Sequence, residues 1–513
     1  MKKVKIVSAI LALSLVVGLM SGCSGNTSSS AAQTNSKSSA SASPTKLLIL
    51  TGADQPEQPG AQAVWDEIAK RTASTLNVQI EVRSYAWADY KDQVNRMAAA
   101  GDSFDIYLNF QGDLPGDVSR KQCIPLDDLI NKYGADLKKM TPTDLFGDVT
   151  VNNKIYGVPS NYPFVGATCT LIRKDLREKY GIGEIKTLAD FEKYLAAIKK
   201  NESSMSGFVG RGAAGGADFD QAFGPVTMGI GADMATFGKI DPSVKPYKVE
   251  NAFTMDSTKK QVEWFRKAYA NGWVPKDILT ITDPNTLFVS GKAAAYTTDM
   301  YTAASLAPTL RQNIKGAEIE SFSFTDFSKP LTRLSKVNNF ASISSTSKNP
   351  EKAVEFLNWL RASKDNYDLY MLGIKGTDWE PVSDTTYKLP ASVDAANRKY
   401  NPSPWWCKSM QYDRLLENAE PSFLNIYNKV AKSTFTTPDL TYFTFDSTPV
   451  KTEWTQVQTA YKELWTPISQ GIDASDQSYN AAVKKMNDLG LQKILDEAQR
   501  QLDDWAAKKS SSK

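Results

Sequence analysis

The sequence predicts an α/β protein whose first layer is built on a mainly parallel β-sheet. Three observations support this class: short apolar runs typical of buried strands, apolar side chains at helical spacing between them, and a regular alternation of the two patterns. In chain order they predict strand 46–51, helix 61–69, strand 78–82, helix 90–98 and strand 105–108. Strands that alternate with helices in this way favour parallel pairing, because each helix returns the chain to the same edge of the sheet.

Each element has its own local signal. Residues 46–51 are a short, mostly apolar run that ends at Gly52, whereas 78–82 alternates apolar and polar side chains with the period of a strand. The first helix is predicted from apolar residues three or four positions apart, which are Ala61, Val64, Trp65, Ile68 and Ala69. The same reasoning predicts strands at 168–172 and 293–297 and helices at 188–198, 261–270 and 350–360. The C-terminal region is predicted to be mostly helical, with helix ends at Gly471 and Gly490.

The composition is typical of a folded, soluble protein with several structural units. Its 513 residues correspond to roughly three domains at about 150 residues each. Hydrophobic residues make up 41% and charged residues 23%, which excludes wholesale disorder, collagen and coiled coil. The 60 basic residues exceed the 57 acidic ones only through Lys2, Lys3 and Lys5, which lie in an apparent export signal. The rest of the chain has no formal net charge, so no nucleic-acid partner is expected.

The sequence contains no histidine. This absence removes histidine-based acid–base catalysis, the serine and cysteine triads that depend on an imidazole, and the commonest metal ligand. An enzyme would have to rely on paired carboxylates or on a Ser–Lys arrangement. The acidic residues between 113 and 128 lack the spacing of a calcium loop, and neither a metal nor a cofactor is predicted.

Residues 1–22 have the features of an export signal: a basic start, an apolar run too short to span a bilayer, and the small residues Ser21 and Gly22 before Cys23. This arrangement resembles the signal of bacterial lipoproteins, in which cleavage precedes the cysteine and its sulfur carries a lipid. Met20 stands where such signals usually have Leu. The resemblance implies a lipid anchor at Cys23 on the extracellular face of the cell membrane, and the alternative is an ordinary cleaved signal with an incidental cysteine.

The segment that follows the signal, 23–45, contains nine serines and almost no large apolar side chain, so it is predicted to be a disordered tether. The remaining cysteines, Cys123, Cys169 and Cys407, are widely spaced and form no CxxC pair. We expect three buried free thiols, and a single disulfide is the alternative.

Several segments, in order along the chain, resemble the sugar-binding group of extracellular solute-binding proteins of bacterial ABC importers. They are 151–159 (VNNKIYGVP), 288–296 (FVSGKAAAY) and 347–357 (SKNPEKAVEFL). Residues 124–130 and 454–505 are similar to the long lipoprotein subgroup of that family.

This resemblance implies a two-lobe periplasmic-binding-protein-like fold of the class II type, with hinge strands between the lobes and the ligand in the cleft. By the family pattern, 46–163 and 299–346 form the first lobe, and 164–298 and 347–508 form the second. The implied function is that of a non-catalytic, monomeric, membrane-anchored receptor. It would capture a carbohydrate, expected to be an oligosaccharide, and deliver it to the permease of an ABC importer.

The candidate ligand-binding residues are aromatic, amide and charged side chains near predicted strand ends, at a lobe crossing, or in Gly- or Pro-containing loops. Sugar rings present flat apolar faces rimmed by hydroxyls, so their sites need aromatic platforms with polar groups beside them. Ligands of open α/β sheets bind outside the carboxyl ends of the strands. The candidates are Trp87, Asn109, Gln111, Tyr162, Arg211, Asp299, Tyr301, Trp379, Trp405 and Trp406. Sugar binders of the family often have a Gly-Trp-like pair near Asp299, where this chain has Tyr301. For each candidate the alternative is a core or loop contact.

Three other functions stay open at this stage. The same fold could bind a peptide or another polar metabolite. The chain could instead be a carboxylate-dependent glycoside hydrolase that uses Asp299 and Glu380, which would have to lie about 5 to 10 Å apart. A purely structural or adhesive lipoprotein is the third alternative.

Overall fold

The computed structural model describes residues 43–53, 57–161, 168–210, 217–232, 235–281, 283–334, 336–393 and 397–511. Within these ranges the chain forms two main sheets with their own hydrophobic cores and a third core near the C-terminus. The predicted α/β class with a mostly helical C-terminal region is confirmed. The predicted signal and nearly all of the tether lie outside the described residues, and Thr45 already belongs to the first strand. None of the described helices combines the length and the apolar character that a membrane-spanning helix needs.

The first sheet has five strands in the order Val78–Ala86, Thr45–Ala53, Ile106–Phe110, Asn339–Ile343 and Val158–Pro159. The first three are parallel, as predicted, and Asn339–Ile343 runs antiparallel to both of its neighbours. The register pairs Thr51 with Ser84 and Leu50 with Tyr107. The three parallel strands and Val158–Pro159 therefore end at the same side, which we call the carboxyl edge of the first sheet.

Helices pack on this sheet where the apolar spacing predicts them. Ala61–Thr72 buries Val64, Trp65 and Ile68 in the core of the first sheet. Trp87–Ala100 ends at Gly101, whose φ of 76° is the left-handed conformation that glycine adopts at little cost. Pro350–Ala362 begins with proline, whose missing N–H would have no partner within the helix at that position.

The second sheet has four strands in the order Ile319–Phe322, Thr168–Arg173, Ala293–Asp299 and Ser206–Gly210. Thr168–Arg173 is antiparallel to both neighbours, and Ala293–Asp299 is parallel to Ser206–Gly210. The adjacent residues Leu171 and Ile172 belong to different hydrophobic cores, because successive side chains of a strand point to opposite faces.

Helices complete both cores of the second sheet. Leu188–Asn201 and Asp256–Ala270 contribute Phe191 and Trp264 to an aromatic core. Met300–Asn313 and Pro421–Lys432 belong to the other core. Helix Leu188–Asn201 begins after Thr187, which caps it: the Thr187 hydroxyl accepts a hydrogen bond from the Asp190 N–H at 3.2 Å.

The third core joins a small antiparallel sheet to the C-terminal helices. The strands are Met228–Ala232, Ala235–Ile240 and Glu250–Asn251, and the helices are Lys451–Ala460, Thr466–Ser469, Asp476–Asp488 and Leu491–Ser511, with a π-helical turn at Tyr461–Trp465. Phe237 of this sheet meets Trp454 edge to face, with 4.9 Å between the ring centroids. Gly471 and Gly490 follow helix ends with positive φ, which confirms the predicted breaks.

The remaining elements are short. The other α-helices are Leu114–Ser119, Asp127–Tyr133, Ala135–Met140, Lys174–Lys179, Ala217–Asp220, Pro284–Val289 and Lys364–Leu372. The 3₁₀ helices are Thr143–Val149, Ile278–Thr280, Asp439–Tyr442 and Thr448–Val450. The other strands pair Thr150–Val151 with Lys154–Ile155, Leu331–Thr332 with Phe435–Thr436, and Thr386–Lys388 with both Glu380–Pro381 and Leu415–Leu416.

The structure divides the chain between the two sheets differently from the predicted lobe boundaries. Residues 303–319 pack in a core of the second sheet, although 299–346 was assigned to the first lobe. Residues 353–407 pack in the core of the first sheet, although 347–508 was assigned to the second lobe. The chain therefore returns to the first sheet before Asn339 and leaves it again after Cys407, because the long segment after Pro350 carries apolar faces that the first sheet buries.

Candidate functional site

A polar loop runs across the carboxyl edge of the first sheet. The hydroxyl of Thr51 donates to the carbonyl of Ser403 at 3.3 Å, and the hydroxyl of Ser160 donates to the carbonyl of Trp405 at 2.6 Å. Thr51 lies near the end of a central strand, and Ser160 directly follows the last strand of the sheet. Residues 401–409, which we call the edge loop, therefore cross the carboxyl edge from one strand to the other.

Trp87 lies at this edge. It is the first residue of the helix that follows strand Val78–Ala86, and it is half-buried. Its indole covers Gly52, and its ring meets Tyr90 edge to face at 6.4 Å between centroids. The position keeps the ring fixed while leaving part of it exposed, which suits an aromatic platform.

Trp405 lies in the edge loop and is also half-buried. The ammonium group of Lys408 lies 5.6 Å from the centroid of its ring, at cation–π distance. The bond from Ser160 to the Trp405 carbonyl fixes the backbone beside the last strand. Two of the predicted aromatic residues, Trp87 and Trp405, are therefore at the same edge of the first sheet.

Trp406 and Trp379 are interior residues, which corrects their prediction as ligand contacts. Trp406 is fully buried and meets Tyr370 edge to face at 5.2 Å between centroids. Trp379 is 4% exposed, its indole N–H donates to the carbonyl of Gly373 at 3.1 Å, and the guanidinium of Arg414 lies over its ring. In each case the large ring fills the core beneath the edge loop.

Asn109 is also an interior residue, because its amide is used within the protein. Its NH₂ group donates to Asp117 at 3.0 Å and to Ser342 at 3.1 Å, and its carbonyl accepts from the N–H of Phe110 at 2.7 Å. Burial raises the pKa of Asp117, and the bonds from Tyr107 and Asn109 oppose that rise. The prediction that Asn109 contacts the ligand is corrected by this arrangement.

Gln111 lies two residues further along and is half-buried at the carboxyl edge. Its backbone N–H donates to the carbonyl of Asn338 at 3.0 Å, which fixes the turn after the strand. Gln111 therefore keeps the position that was predicted for it.

The candidates of the second lobe are only partly described. Asp299 is the last residue of strand Ala293–Asp299, and Tyr301 lies in the first turn of the helix that follows. The backbone thus places both at a carboxyl strand end of the second sheet. Tyr162, Arg211 and Cys23 lie outside the described residues. Glu380, the second acid of the hydrolase alternative, pairs with Lys388 at 3.3 Å.

Sequence reasoning missed the polar groups where the chain crosses between the sheets. The backbone of Asn161 bonds to Lys408 and Met410, and its side-chain NH₂ donates to the amide oxygen of Gln411 at 2.9 Å. Asn161 stood next to a predicted crossing residue, so its position was a usable signal. Gln411 had none, since the sequence predicts neither a strand end nor a lobe crossing beside it.

Two ion pairs and a tyrosine hydroxyl hold the edge loop and the residues that follow it against helix Lys364–Leu372. Lys408 pairs with Asp413 at 3.2 Å, and the Tyr367 hydroxyl donates to the same carboxylate at 2.7 Å. Arg414 pairs with Asp368 at 2.9 Å, with both side chains less than a tenth exposed. Burial raises the pKa of Asp368, although the guanidinium of Arg414 opposes that rise. Removal of one partner would leave a buried charge uncompensated, so these pairs fix the edge loop and the residues that follow it in place.

The described cysteines are free and buried, as predicted. Burial raises the pKa of both Cys123 and Cys407 to about 12. Among the residues that the structure describes, no three acidic or cysteine side chains lie close enough together to hold a metal ion.

Comparisons with known proteins identify the family. Residues 67–377, more than half of the chain, match the family of bacterial extracellular solute-binding proteins. Residues 439–507, which include most of the C-terminal helices of the third core, match a domain of unknown function, DUF3502.

Individual proteins are similar over most of the chain. A carbohydrate ABC transporter substrate-binding protein of Streptococcus pneumoniae serotype 4 is 24% identical over 444 residues, which cover 85% of this chain and 86% of that protein. The N-glycan transport solute binding protein NgtS from Streptococcus pneumoniae has a TM-score of 0.73 at 20% identity, over 91% of this chain and all of the other. The NgtS complex with Man5GlcNAc has a TM-score of 0.68 at 20% identity, over 91% of this chain and 99% of the other.

The similar structures share the two-lobe fold, which confirms the predicted fold class. The family consists of binding proteins of ABC transporters and not of enzymes, so the predicted lack of catalytic activity is also confirmed. The chain belongs to the family of bacterial extracellular solute-binding proteins.

Proposed function

We propose that this protein captures a neutral oligosaccharide at the carboxyl edge of the first sheet and delivers it to the permease of an ABC importer. The observation that carries the proposal is the presence of two half-buried tryptophans, Trp87 and Trp405, at that edge. Aromatic faces bind the flat apolar faces of sugar rings, and nearby amides bind the hydroxyls. Gln111 and Asn161 supply such amides.

Two further observations support a neutral carbohydrate. The relatives named above are a carbohydrate transporter protein and an N-glycan transport protein. The chain without its export signal has equal numbers of acidic and basic residues, so no strong field attracts a charged solute.

We further propose that the second lobe closes over the bound carbohydrate. Asp299 and Tyr301 lie at a carboxyl strand end of the second sheet, the place where ligands of open α/β sheets bind. In this proposal Asp299 accepts hydrogen bonds from sugar hydroxyls and Tyr301 provides a third aromatic face. Tyr162 and Arg211 are proposed to complete the site.

Titration calorimetry with neutral oligosaccharides tests the proposal. Man5GlcNAc, maltooligosaccharides and chitooligosaccharides are suitable probes, with short peptides as the competing ligand class. We expect at least one glycan to bind and to raise the melting temperature, since a ligand at 100 times its Kd adds about 2.7 kcal/mol of stability. Binding of peptides with no response to any glycan would keep the fold and overturn the carbohydrate assignment.

A matched pair of tryptophan variants locates the site. Trp87→Ala should weaken glycan binding at least tenfold. Trp359→Ala removes another half-buried indole, which stacks on Phe356 of its own helix with 6.0 Å between the ring centroids. This control should keep the affinity of the wild type. Equal losses in both variants would show that the effect of Trp87→Ala is not local.

The location and assembly are proposals of their own. We propose that Cys23 carries a lipid anchor that holds a monomer on the extracellular face of the membrane. The basic start, the apolar run and the small residues before Cys23 support it. In cells, mass spectrometry should detect no lipid on the Cys23→Ala protein, and this protein should not be attached to the membrane. A membrane fraction equal to that of the wild type would overturn the anchor.

A further inference from the structure

The first lobe contains a cavity of about 120 Å³ that the proposed site does not use. One wall comes from the ends of two paired strands, and a second comes from the start of helix Ala61–Thr72. The edge loop and the residues beneath it close the rest. The lining residues are Thr51, Gln58, Ala61, Trp65, Val82, Ser84, Tyr370, Tyr400, Pro402 and Ser403.

The cavity and Trp87 lie on opposite faces of the sheet at the same edge. Thr51 lines the cavity, whereas a side chain at the next residue, Gly52, would point into the indole of Trp87. Successive residues of a strand point to opposite faces, so the two features are on either side of strand Thr45–Ala53. The edge loop connects them, because it contributes Pro402 and Ser403 to the cavity and Trp405 to the carboxyl edge.

The chemistry of the lining selects a neutral polar ring. None of the ten lining residues carries a charge. Three aromatic rings share one wall: Trp65 lies 5.9 Å from Tyr370 and 5.7 Å from Tyr400 between centroids. Thr51, Ser84, Ser403 and Gln58 add hydroxyl and amide groups. This combination of flat apolar faces and neutral hydrogen-bonding groups complements a sugar ring.

The size of the cavity limits what it can receive to part of one sugar unit. An apolar cavity of about 150 Å³ accepts benzene, and a sugar unit is larger than benzene because its ring carries hydroxyls and an exocyclic carbon. A cavity of about 120 Å³ therefore has room for one edge of a sugar ring with its hydroxyls. The polar groups in this lining would favour water or a hydroxylated ring.

We infer that this cavity is a subsite that receives one edge of a neutral sugar unit of the oligosaccharide, separate from the tryptophan platform on the other face of the sheet. The inference rests on the proposed function. The edge loop gives the physical link, since a glycan bound along it would pass from Trp405 to Pro402 and Ser403, which line the cavity. The protein would accordingly select glycans by a terminal or branch unit as well as by the units on Trp87.

Two filling variants test the subsite from different walls. Ala61→Leu fills the cavity from the helix, and Ser84→Leu fills it from the strand. Ala63→Leu adds the same side chain to the same helix at an exposed position and is the matched control. Wild type and variants are applied to a printed array of neutral glycans from one to ten units, and Kd values are then measured by calorimetry for each glycan that the wild type binds. Circular dichroism and melting temperature verify folding.

We expect Ala61→Leu and Ser84→Leu to raise the Kd of at least one glycan tenfold or more and to change the order of affinities among the glycans. Ala63→Leu should keep the wild-type Kd values and their order. Affinities within twofold of wild type in both filling variants would overturn the subsite and leave the proposed function intact. A wild type that binds no glycan would overturn the proposed function and the subsite together. If one filling variant does not fold, the other still decides the result.

Discussion

The indole of Trp87 covers the backbone of Gly52 so closely that a Cβ on Gly52 would stand 2.4 Å from a carbon of the ring. Gly52 lies near the end of one strand of the first sheet, and Trp87 begins the helix that follows the neighbouring strand. The orientation of the Trp87 ring therefore depends on residue 52 being glycine, because any side chain there would occupy the space of the ring. Because the two residues are 35 positions apart in the chain, this contact exists only when the parallel strands are correctly paired.

Gly52→Ala is expected to displace the indole of Trp87. The added methyl group overlaps the ring, and forced repacking of this kind costs about 1–3 kcal/mol. We expect a lower free energy of unfolding by that amount, together with weaker glycan binding and a shift in tryptophan fluorescence. Gly112→Ala is the control, because no atom lies within 4 Å of its Cβ position. Unchanged binding in Gly52→Ala would contradict the role of Trp87 as a platform.

Alanine substitutions at Asn109 and Gln111 should have different effects: the first should lower stability and the second should weaken ligand binding. Asn109→Ala removes a buried amide that donates to Asp117 and accepts from the Phe110 N–H, and the loss of these two bonds should cost about 1–3 kcal/mol. Gln111→Ala should change stability by less than about 0.5 kcal/mol, as expected for a surface substitution, and weaken glycan binding. Denaturant unfolding and calorimetry on both variants make the comparison. A loss of affinity in a folded Asn109→Ala protein that exceeds the loss in Gln111→Ala would reverse these roles.

Much of the fold could be predicted because its signals are local. The strand at 46–51 and the helix at 61–69 are encoded by the spacing of apolar residues, and the structure shows both, as Thr45–Ala53 and Ala61–Thr72. The path of the chain between lobes has no such signal. Helices Pro350–Ala362 and Met300–Asn313 each present an apolar face that would pack on either sheet, so the choice is made only by tertiary contacts.

The site was predictable only in part for a similar reason. Sequence position after a strand placed Trp87 and Gln111 at the carboxyl edge. It could not separate Asn109 from Gln111, because the difference between them depends on where the strand ends: Asn109 lies inside it beside the buried carboxylate of Asp117, and Gln111 lies beyond its last residue. The aromatic wall of the cavity could not be predicted from the sequence, because Trp65 is about 300 residues away from Tyr370 and Tyr400 and only the folded chain brings the three rings together.

The three thiols of the folded body should be unreactive. Cys123, Cys169 and Cys407 are at most 5% exposed, and burial raises the pKa of Cys123 and Cys407 to about 12. The thiolate is the reactive form, so at pH 8 almost none is present. In a Cys23→Ser protein, we expect no labelling by Ellman's reagent until guanidinium unfolds the chain, after which all three thiols react. Rapid labelling of one thiol in the native protein would show that its site opens.

Asp175 should make the second sheet sensitive to acid. Burial by itself would raise the pKa of Asp175, but the two bonds from Arg173, at 2.7 and 2.8 Å, and one from the Glu318 N–H outweigh it and lower the pKa. A carboxyl with a lowered pKa contributes stability above its unfolded pKa of about 4 and loses it as the pH falls through the folded value.

Asp175→Asn should therefore destabilise the protein most at neutral pH, by about 1.5–3 kcal/mol for hydrogen bonds to a charged group. The difference from wild type should narrow as the pH falls below about 4. Urea denaturation between pH 3 and 7 measures it, with the exposed Asp66→Asn as a control that follows the wild-type profile. A difference that stays constant with pH would show that the charge of Asp175 does not contribute.

The adjacent residues Trp405 and Trp406 should respond in opposite ways to the same substitution. Trp406 is fully buried against Tyr370, so Trp406→Ala leaves a large cavity and should cost about 3–5 kcal/mol. Trp405 is half-buried in the edge loop, so Trp405→Ala should cost less stability and weaken glycan binding at least tenfold. Denaturant unfolding and calorimetry on both proteins give the two readouts. If Trp405→Ala keeps its affinity, or if a folded Trp406→Ala loses more affinity than Trp405→Ala, then the edge loop does not present Trp405 to the ligand.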